Sequence, residues 1–310
     1  MFITEDSHFY HVFKSKDHIF NSIEFQLLNK DKVNSLATLV FDNGGKPKIA
    51  LIGGVKKGIL KSPFSAPFGG FSLLRPSVRL SDIQAAIDNL FVWCKDNGIK
   101  EIHITLPPSI YGDAAIDKQL NSLFIKGFSV CYVDLNYSFS LSDFDNNYTQ
   151  KIRSNARKNL KRALLTEGYN FKHVVSLEEK KKAYNVIAKN RFSRGYPLRL
   201  SWEDIQKTSK VINIDFFLVQ LHENSVAAAI VFYVTKEIVQ VVYWGDIVDY
   251  HIYRPMNYLS YNLFKYYKNK VSVIDIGPST EKGIPNHGLC EFKEGIGCSI
   301  SSKYTLIKKI

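Results

Sequence analysis

The sequence predicts a mixed α/β (α+β) protein made of two similar modules, each a mainly antiparallel sheet flanked by helices. Three observations carry this. Residues 214–221 (IDFFLVQL), 226–234 (VAAAIVFYV) and 238–244 (IVQVVYW) are apolar runs separated by short polar turns, the pattern of an antiparallel meander. The period then changes: Met256, Leu259, Leu263, Tyr266 and Tyr267 fall at helical spacing, which predicts a helix over 255–268 with Pro255 in its first turn. A strand at 271–276, a short helix at 289–295 and a closing strand at 299–307 complete the half. The third observation is that the first half of the chain repeats this order.

In the first half, strands are predicted at 36–41 and 49–53, joined by the hairpin-turn signal Asp42-Asn43-Gly44-Gly45. Residues 56–74, with Pro63, Pro67, Gly69 and Gly70, read as a loop. A helix over 80–97 follows, with Ser81 as its candidate cap and Ile83, Ala86, Ile87, Leu90 and Trp93 on one face. Then come a strand at 101–106, a helix at 115–125 ended by Gly127, and a long strand at 129–141. From Pro108 to Gly127 and from Pro278 to Gly297 the two halves keep the same spacing. Duplication of one unit is the simplest account, with a boundary between 1–141 and 142–310. Ahead of this, Phe9, Val12, Phe13, Ile19 and Phe20 predict a covering helix or docking arm within residues 2–30.

The composition, 45% hydrophobic and 23% charged, is that of a globular chain and not of a disordered one. The net charge of +12 is unevenly placed: residues 1–135 carry 15 basic and 13 acidic groups, residues 136–310 carry 26 and 16. An anionic partner is therefore expected at the second half, whether cofactor phosphates, a nucleotide-sugar or nucleic acid. The charge is concentrated between the halves. Ile152, Ala156, Leu160, Ala163 and Leu164 form an apolar stripe on a helix expected within 143–163, and Lys151, Arg153, Arg157, Lys158, Lys161 and Arg162 cover the rest. Like-signed pairs such as Arg153/Arg157 disfavour a helix, a cost that a bound phosphate offsets; a solvated basic face is the alternative. A second helix, 177–192, leads into Asn190-Arg191-Phe192-Ser193-Arg194-Gly195-Tyr196-Pro197.

Cys94, Cys131, Cys290 and Cys298 have no CxxC spacing and read as buried free thiols of a reducing compartment. No apolar run is long enough to span a bilayer and the N-terminus shows no signal-peptide pattern, so a cytoplasmic protein is expected. His8, His11, His222, His251 and His287 lack metal-ligand spacing, and no metal is expected.

Three stretches together resemble a known family. These are IRSNARKNLKRALLTEGY (152–169), NRFSRGYP (190–197), and IDIGPST (274–280) followed by GLCEFKEGIG (288–297); Pro67-Phe68-Gly69-Gly70-Phe71 adds a weaker match in the first half. They resemble the FemAB-like transferases, which are tandem GNAT-superfamily proteins. The resemblance implies two tandem GNAT-like domains and N-acyl transfer to an amine of a cell-envelope or polysaccharide precursor. The donor it implies is an acyl-CoA such as acetyl-CoA, or an aminoacyl-tRNA. One departure concerns the donor. Residues 245–255 lack the Gly-rich turn of acetyl-CoA-binding members, which leaves Gly245, Arg254 and Asn257, at the start of the next helix, as the donor-binding candidates.

Acyl transfer needs a polarised carbonyl, a deprotonated amine and a stabilised leaving group. Lys293 matches the family's lysine near the C-terminus and is the leading catalytic candidate; a surface lysine is the alternative. Tyr243 is a candidate proton donor or a core residue, and the amides near Tyr243–Gly245 are a candidate oxyanion site. Asp275, inside an apolar strand, is either a base or a carboxylate satisfied by a turn; Glu291 is a weaker base candidate. Arg191 and Arg194 are positioned to fork onto an acceptor's phosphate or carboxylate, or to pair with acids such as Glu203. Arg157 is a further substrate-binding candidate, and Gly69 and Gly70 permit close backbone approach. A competing reading is a non-catalytic GNAT-fold protein that holds RNA or another polyanion on its basic second half.

Overall fold

The computed structural model describes residues 2–4, 18–42 and 46–310. In chain order its elements are β1 (Phe2–Thr4), α1 (Ile23–Leu27), β2 (Ser35–Asp42), β3 (Pro47–Lys56), β4 (Ile59–Ser62), β5 (Phe71–Leu73), α2 (Leu80–Asp96), β6 (Glu101–Thr105), α3 (Asp113–Ile125) and β7 (Ser129–Ser140). There follow α4 (Tyr148–Lys151), α5 (Ser154–Leu165), β8 (Tyr169–Val174), α6 (Leu177–Ser193), α7 (Trp202–Thr208), β9 (Ile214–Leu221), β10 (Asn224–Tyr233) and β11 (Ile238–Asp246). The chain closes with α8 (Pro255–Tyr267), β12 (Val273–Pro278), a short ribbon of β13 (Thr280–Glu281) and β14 (Ile284–Pro285), α9 (His287–Gly295) and β15 (Ser299–Lys309).

Two compact units divide the chain, and not at a single cut. One comprises residues 1–135, 281–284 and 301–310; the other comprises 136–280 and 285–300. In the first unit the strands lie in the order β1-β2-β3-β4-β6-β15. All neighbours in that row are antiparallel except β4 and β6, which run parallel from Ile59↔Glu101 to Ser62↔Ile104. In the second unit the order is β7-β12-β11-β10-β9-β8, again antiparallel except for β11 and β12, which pair in parallel only over Ile238↔Val273 to Gln240↔Asp275. Each unit is thus a meander, a helix crossover to one parallel neighbour, and an antiparallel closing strand. The mainly antiparallel sheets with flanking helices are those the sequence predicts.

The closing strands are exchanged relative to chain order. Residues 301–310 of β15 belong to the first unit, where Thr305 to Lys309 pair with Thr105 to Glu101, while Asn136 to Ser140 of β7 pair with β12 in the second. A β period identifies a strand but not the sheet it joins.

Each core follows from alternation. In the first unit Ala37, Leu39 and Phe41 of β2 and Ile49 and Leu51 of β3 face Ile83, Ala86, Ile87 and Leu90 of α2. In the second, Ala227, Ala229 and Val231 of β10 pack with Leu259, Leu263, Phe264 and Tyr267 of α8, and α6 lies against β9–β11. Asn190 of α6 meets Gly245 on the other side of β11.

Several local expectations change. Residues 56–74 are not all loop: β4 and β5 lie within them, hidden by the Pro- and Gly-rich text between. The cap of α2 is Arg79, whose amide donates to Asp82 Oδ2 at 2.9 Å, and not Ser81. The helix expected at 143–163 is broken at Ile152–Arg153 into α4 and α5. β8 and α7 carried no clear periodic signal. Cys131 is exposed and Cys298 half-buried, so only Cys94 and Cys290 are the buried thiols expected. Phe9, Val12, Phe13, His8, His11 and the turn at 43–45 lie outside the described residues. Among the described residues no helix is long and apolar enough to cross a membrane.

His18 is buried at 4% exposure against Phe20 and Phe68, with Nδ1 unpartnered among the described residues, and desolvation pulls its pKa down to about 3. Between that value and the ordinary histidine value the unfolded chain binds a proton that the folded chain refuses, so stability falls as pH falls through this window. We expect a loss of about 2 kcal/mol between pH 7 and pH 5 from this group. Urea denaturation at the two pH values measures it, and His18→Phe should flatten the difference.

Candidate functional site

The central feature of the second unit is a fork. β11 and β12 part after Gln240 and Asp275; beyond that point β11 pairs with β10 alone among the described residues, and β12 turns to β7. A register shift between Asp275 and Gly277 accompanies the turn, and Gly277 adopts φ +73°, a conformation suited to glycine. Asp275 ties the vertex. It is fully buried and its carboxylate accepts from Gln240 Nε2 (2.7 Å), Asn136 Nδ2 (2.8 Å) and the Gly277 amide (2.8 Å). These bonds pin β11, β12 and β7 at one point.

Lys293, on α9, props the fork from within. It is 1% exposed, and Nζ donates to the carbonyls of Ile276 (2.9 Å), Gly277 (2.8 Å) and Pro278 (3.1 Å), which accounts for all three ammonium protons. Burial pushes its pKa down to about 8. The Tyr137 ring lies 5.3 Å from Nζ, and the Tyr137 hydroxyl donates to Glu294 at 3.2 Å. Asn286 begins α9 by accepting from the Leu289 amide at 3.1 Å, so the helix that carries Lys293 is capped.

On the β11 side, Tyr243 is 9% exposed and its hydroxyl accepts from the Leu200 amide at 3.2 Å. The Arg191 guanidinium lies 5.5 Å from the Tyr243 ring, and its buried Nε has no hydrogen-bond partner among the described residues. Burial pushes the tyrosine pKa up and pulls that of Arg191 down. Arg194 Nη2 stands 3.7 Å from Asp246, a buried carboxylate that also accepts from His251 Nε2 at 3.1 Å and whose pKa desolvation raises. Gly245 is where α6 closes on the strand: a Cβ there would stand 2.6 Å from the Asn190 side chain, whose Nδ2 donates to the Asp246 carbonyl at 2.7 Å. Arg254 is exposed in the left-handed region (φ +62°) at the start of α8.

Behind α9 lies a cleft of about 370 Å³ formed by α5, α8 and α9. Arg153, Asn155, Asn159, Asn257, Glu291 and Phe292 line it. Arg153 bridges its ends: Nη2 donates to Glu294 at 2.6 Å and its amide donates to the Gly295 carbonyl at 3.1 Å. The Phe292 ring packs edge-on to Trp244 of β11 at 5.9 Å, which links the cleft wall to the fork. Arg157, Lys158, Lys161 and Arg162 are exposed along α5, and no carboxylate pairs with them among the described residues.

The structure therefore brings Lys293 and Asp275 together at the fork, sets Arg191 against Tyr243, and lines a cleft with Asn257. Gly69 and Gly70 sit elsewhere, in the first unit. They are buried, and the backbone they approach is the chain's own: the Gly69 amide donates to Thr105 (2.8 Å) and that of Gly70 to Ser62 Oγ (3.1 Å). Asn155 and Asn159 had a visible signal, amides four apart on one helix face. The Asp246–His251 pair had none, because a turn outside the strand brings them together. Among the described residues no group of three or more His, Cys, Asp or Glu gathers as a metal site would.

No family model and no curated protein matches the chain. Solved structures do. FemX superposes with a TM-score of 0.72 over 100% of this chain and 98% of its own, at 12% identity. The L-PGS structure from Bacillus licheniformis gives 0.59 over 98% and 92%, at 12% identity. The fold is the FemAB-like tandem GNAT fold. A tandem GNAT protein from the clavulanic acid biosynthesis pathway also matches, at 0.52 over 89% and 83% with 10% identity. At such identities the likeness is one of fold. In the second unit β11 and β12 part at this fork, where Asp275 ties the vertex and Lys293 of α9 binds the carbonyls of β12.

Gly245→Ala forces a methyl group into the Asn190 amide and should cost about 1–3 kcal/mol in urea denaturation. Adding Asn190→Ala should recover part of that loss, since the two residues share one contact.

Proposed function

We propose that the protein is an N-acyltransferase that moves an acyl or aminoacyl group from an acyl-CoA or aminoacyl-tRNA to an amine of a cell-envelope or polysaccharide precursor, in the cytoplasm. The observation that carries this reading is the fork: past Gln240 one edge of β11 is without β12 among the described residues, backbone amides near Tyr243–Gly245 are those we assign to a carbonyl oxygen, and the buried ammonium of Lys293, on α9, stands against the carbonyls of β12. Amides aimed at a developing oxyanion are among the strongest ways a protein lowers an acyl-transfer barrier. The amine nitrogen attacks the carbonyl carbon, the C–N bond forms, and the C–S or C–O bond to the donor breaks. The amine's proton leaves with the thiol or hydroxyl of the departing group.

The roles follow from the partners. Lys293 spends its protons on three carbonyls of β12, so it acts by holding the strand apart and by its charge, and not by handing a proton to the substrate. Asp275, with three donors on it, fixes the vertex. Arg191, whose Nε lacks a partner, and Arg194 are the residues we assign to an acidic group of the acceptor. The exposed cations of α5 favour a phosphate-rich donor. They also support a second reading, in which the protein only holds RNA; that binding would weaken steeply with salt and accompany no transfer.

Incubation with acetyl-CoA or aminoacyl-tRNA and a panel of amines should release thiol or free tRNA in step with amide formation. Lys293→Met should lower kcat by about a hundredfold. In the unaltered protein the rate should decline above pH about 8, where Lys293 loses a proton and one of its three bonds. Absence of release with every donor and acceptor, together with salt-sensitive RNA binding, would favour the second reading.

A further inference from the structure

One end of the second unit gathers exposed apolar side chains from three separate tips. Leu164 and Leu165 close α5, Phe192 stands in the last turn of α6, and Val248, Ile252 and Tyr253 lie in the turn that follows β11. Phe192 is 90% exposed, Leu165 71% and Ile252 54%. Two contacts hold the tips side by side. The buried Asp246 carboxylate accepts from His251 Nε2 at 3.1 Å and faces Arg194 Nη2 at 3.7 Å, which joins the turn to the end of α6. The Tyr169 hydroxyl donates to the Tyr253 carbonyl at 3.0 Å, and the Tyr169 ring stacks on Tyr258 at 4.3 Å. Tyr169 follows closely on Leu165, so the end of α5 is tied to the same turn. Single exposed apolar residues are ordinary, but a group of them beside concentrated charge marks a surface that meets something else.

The charge beside them is positive. Arg157, Lys158, Lys161 and Arg162 run along α5 up to the leucines, and Arg254 follows Tyr253. The acids within 154–169 and 248–254 are Glu167 and Asp249.

We propose that this end of the second unit docks on a membrane surface rich in anionic lipid. Interfacial binding has two parts: cations that attract phosphate headgroups, and apolar side chains that enter the boundary between headgroups and acyl chains. The cations alone suit any polyphosphate, RNA included. The apolar tips decide between partners. Leu164, Leu165, Val248 and Ile252 offer no π-face on which a base stacks, whereas acyl chains remove aliphatic surface from water. The inference goes beyond the transfer reading and stands apart from it, since vesicle binding is measured without donor or acceptor.

Sedimentation of the full-length protein with vesicles tests it, using phosphatidylcholine alone and an equal mixture of phosphatidylcholine and phosphatidylglycerol. Binding to the mixed vesicles should be at least about tenfold stronger and should weaken as salt is raised. Replacing both Leu165→Ser and Ile252→Ser should weaken it by at least about tenfold, because two apolar anchors are lost. Both side chains are exposed, so the melting temperature of that variant should match the parent's. Ile252→Trp should add a blue shift of emission on mixed vesicles that the parent does not show. A single-stranded RNA oligonucleotide is the competing polyanion, and the serine variant should bind it as the parent does. Failure to sediment with mixed vesicles overturns the proposal, as does equal binding to both kinds. Vesicle binding that survives the two serines overturns it as well. If the serines weaken RNA as much as vesicles, the face is a nucleic-acid surface and the proposal falls. Turnover with a soluble amine in the serine variant reports on the transfer reading separately.

Discussion

The second unit depends on a buried ammonium that three consecutive carbonyls satisfy. A lysine taken out of water keeps its charge only where hydrogen bonds replace its hydration. Here the replacements are the carbonyls of Ile276, Gly277 and Pro278, on a strand that has just left its parallel neighbour. The arrangement is reciprocal. Without Lys293 the carbonyls would be stranded, and without the departure of β12 from β11 they would not converge on one nitrogen. Asp275 performs the complementary task at the vertex, gathering donors from the side chains of Gln240 and Asn136 and the backbone of Gly277. A cation and an anion, each nearly saturated, thus set where the sheet opens.

The first unit has the same topological break and resolves it differently. β4 and β6 pair in parallel as far as Ser62 and Ile104, and the next carbonyl, that of Thr105, is taken by Gly69 of the chain itself. Phe68 fills the space beside it, and a Cβ at Gly69 would collide with Ser62 Oγ at 2.8 Å. One fork is closed by its own loop and the other is propped by a lysine.

Much of this was legible in the residues. The meander at 214–246, the crossover helix after Pro255 and the repeat of the order in the first half are strong periodic signals, and they fix the fold class. Lys293 stood out because it matches the lysine of the family that the C-terminal stretch resembles, and Asp275 because a charge inside an apolar strand demands partners. Their partners were not legible: Asn136 lies 139 positions from Asp275, and such a meeting is settled by tertiary register. β4 was hidden because its four residues run directly into proline- and glycine-rich text, and β8 because an edge strand with one neighbour needs little alternation. The exchange of closing strands had no local mark at all, since either sheet accepts a strand of that pattern.

That exchange bears on how the molecule is made. Residues 301–310 complete the sheet that residues 35–105 begin. A chain emerging from the ribosome in order cannot finish the first sheet until residues 301–310 have cleared the exit tunnel. Until then the outer edge of β6 stands open, guarded by its brevity and by Glu101 and His103 along it.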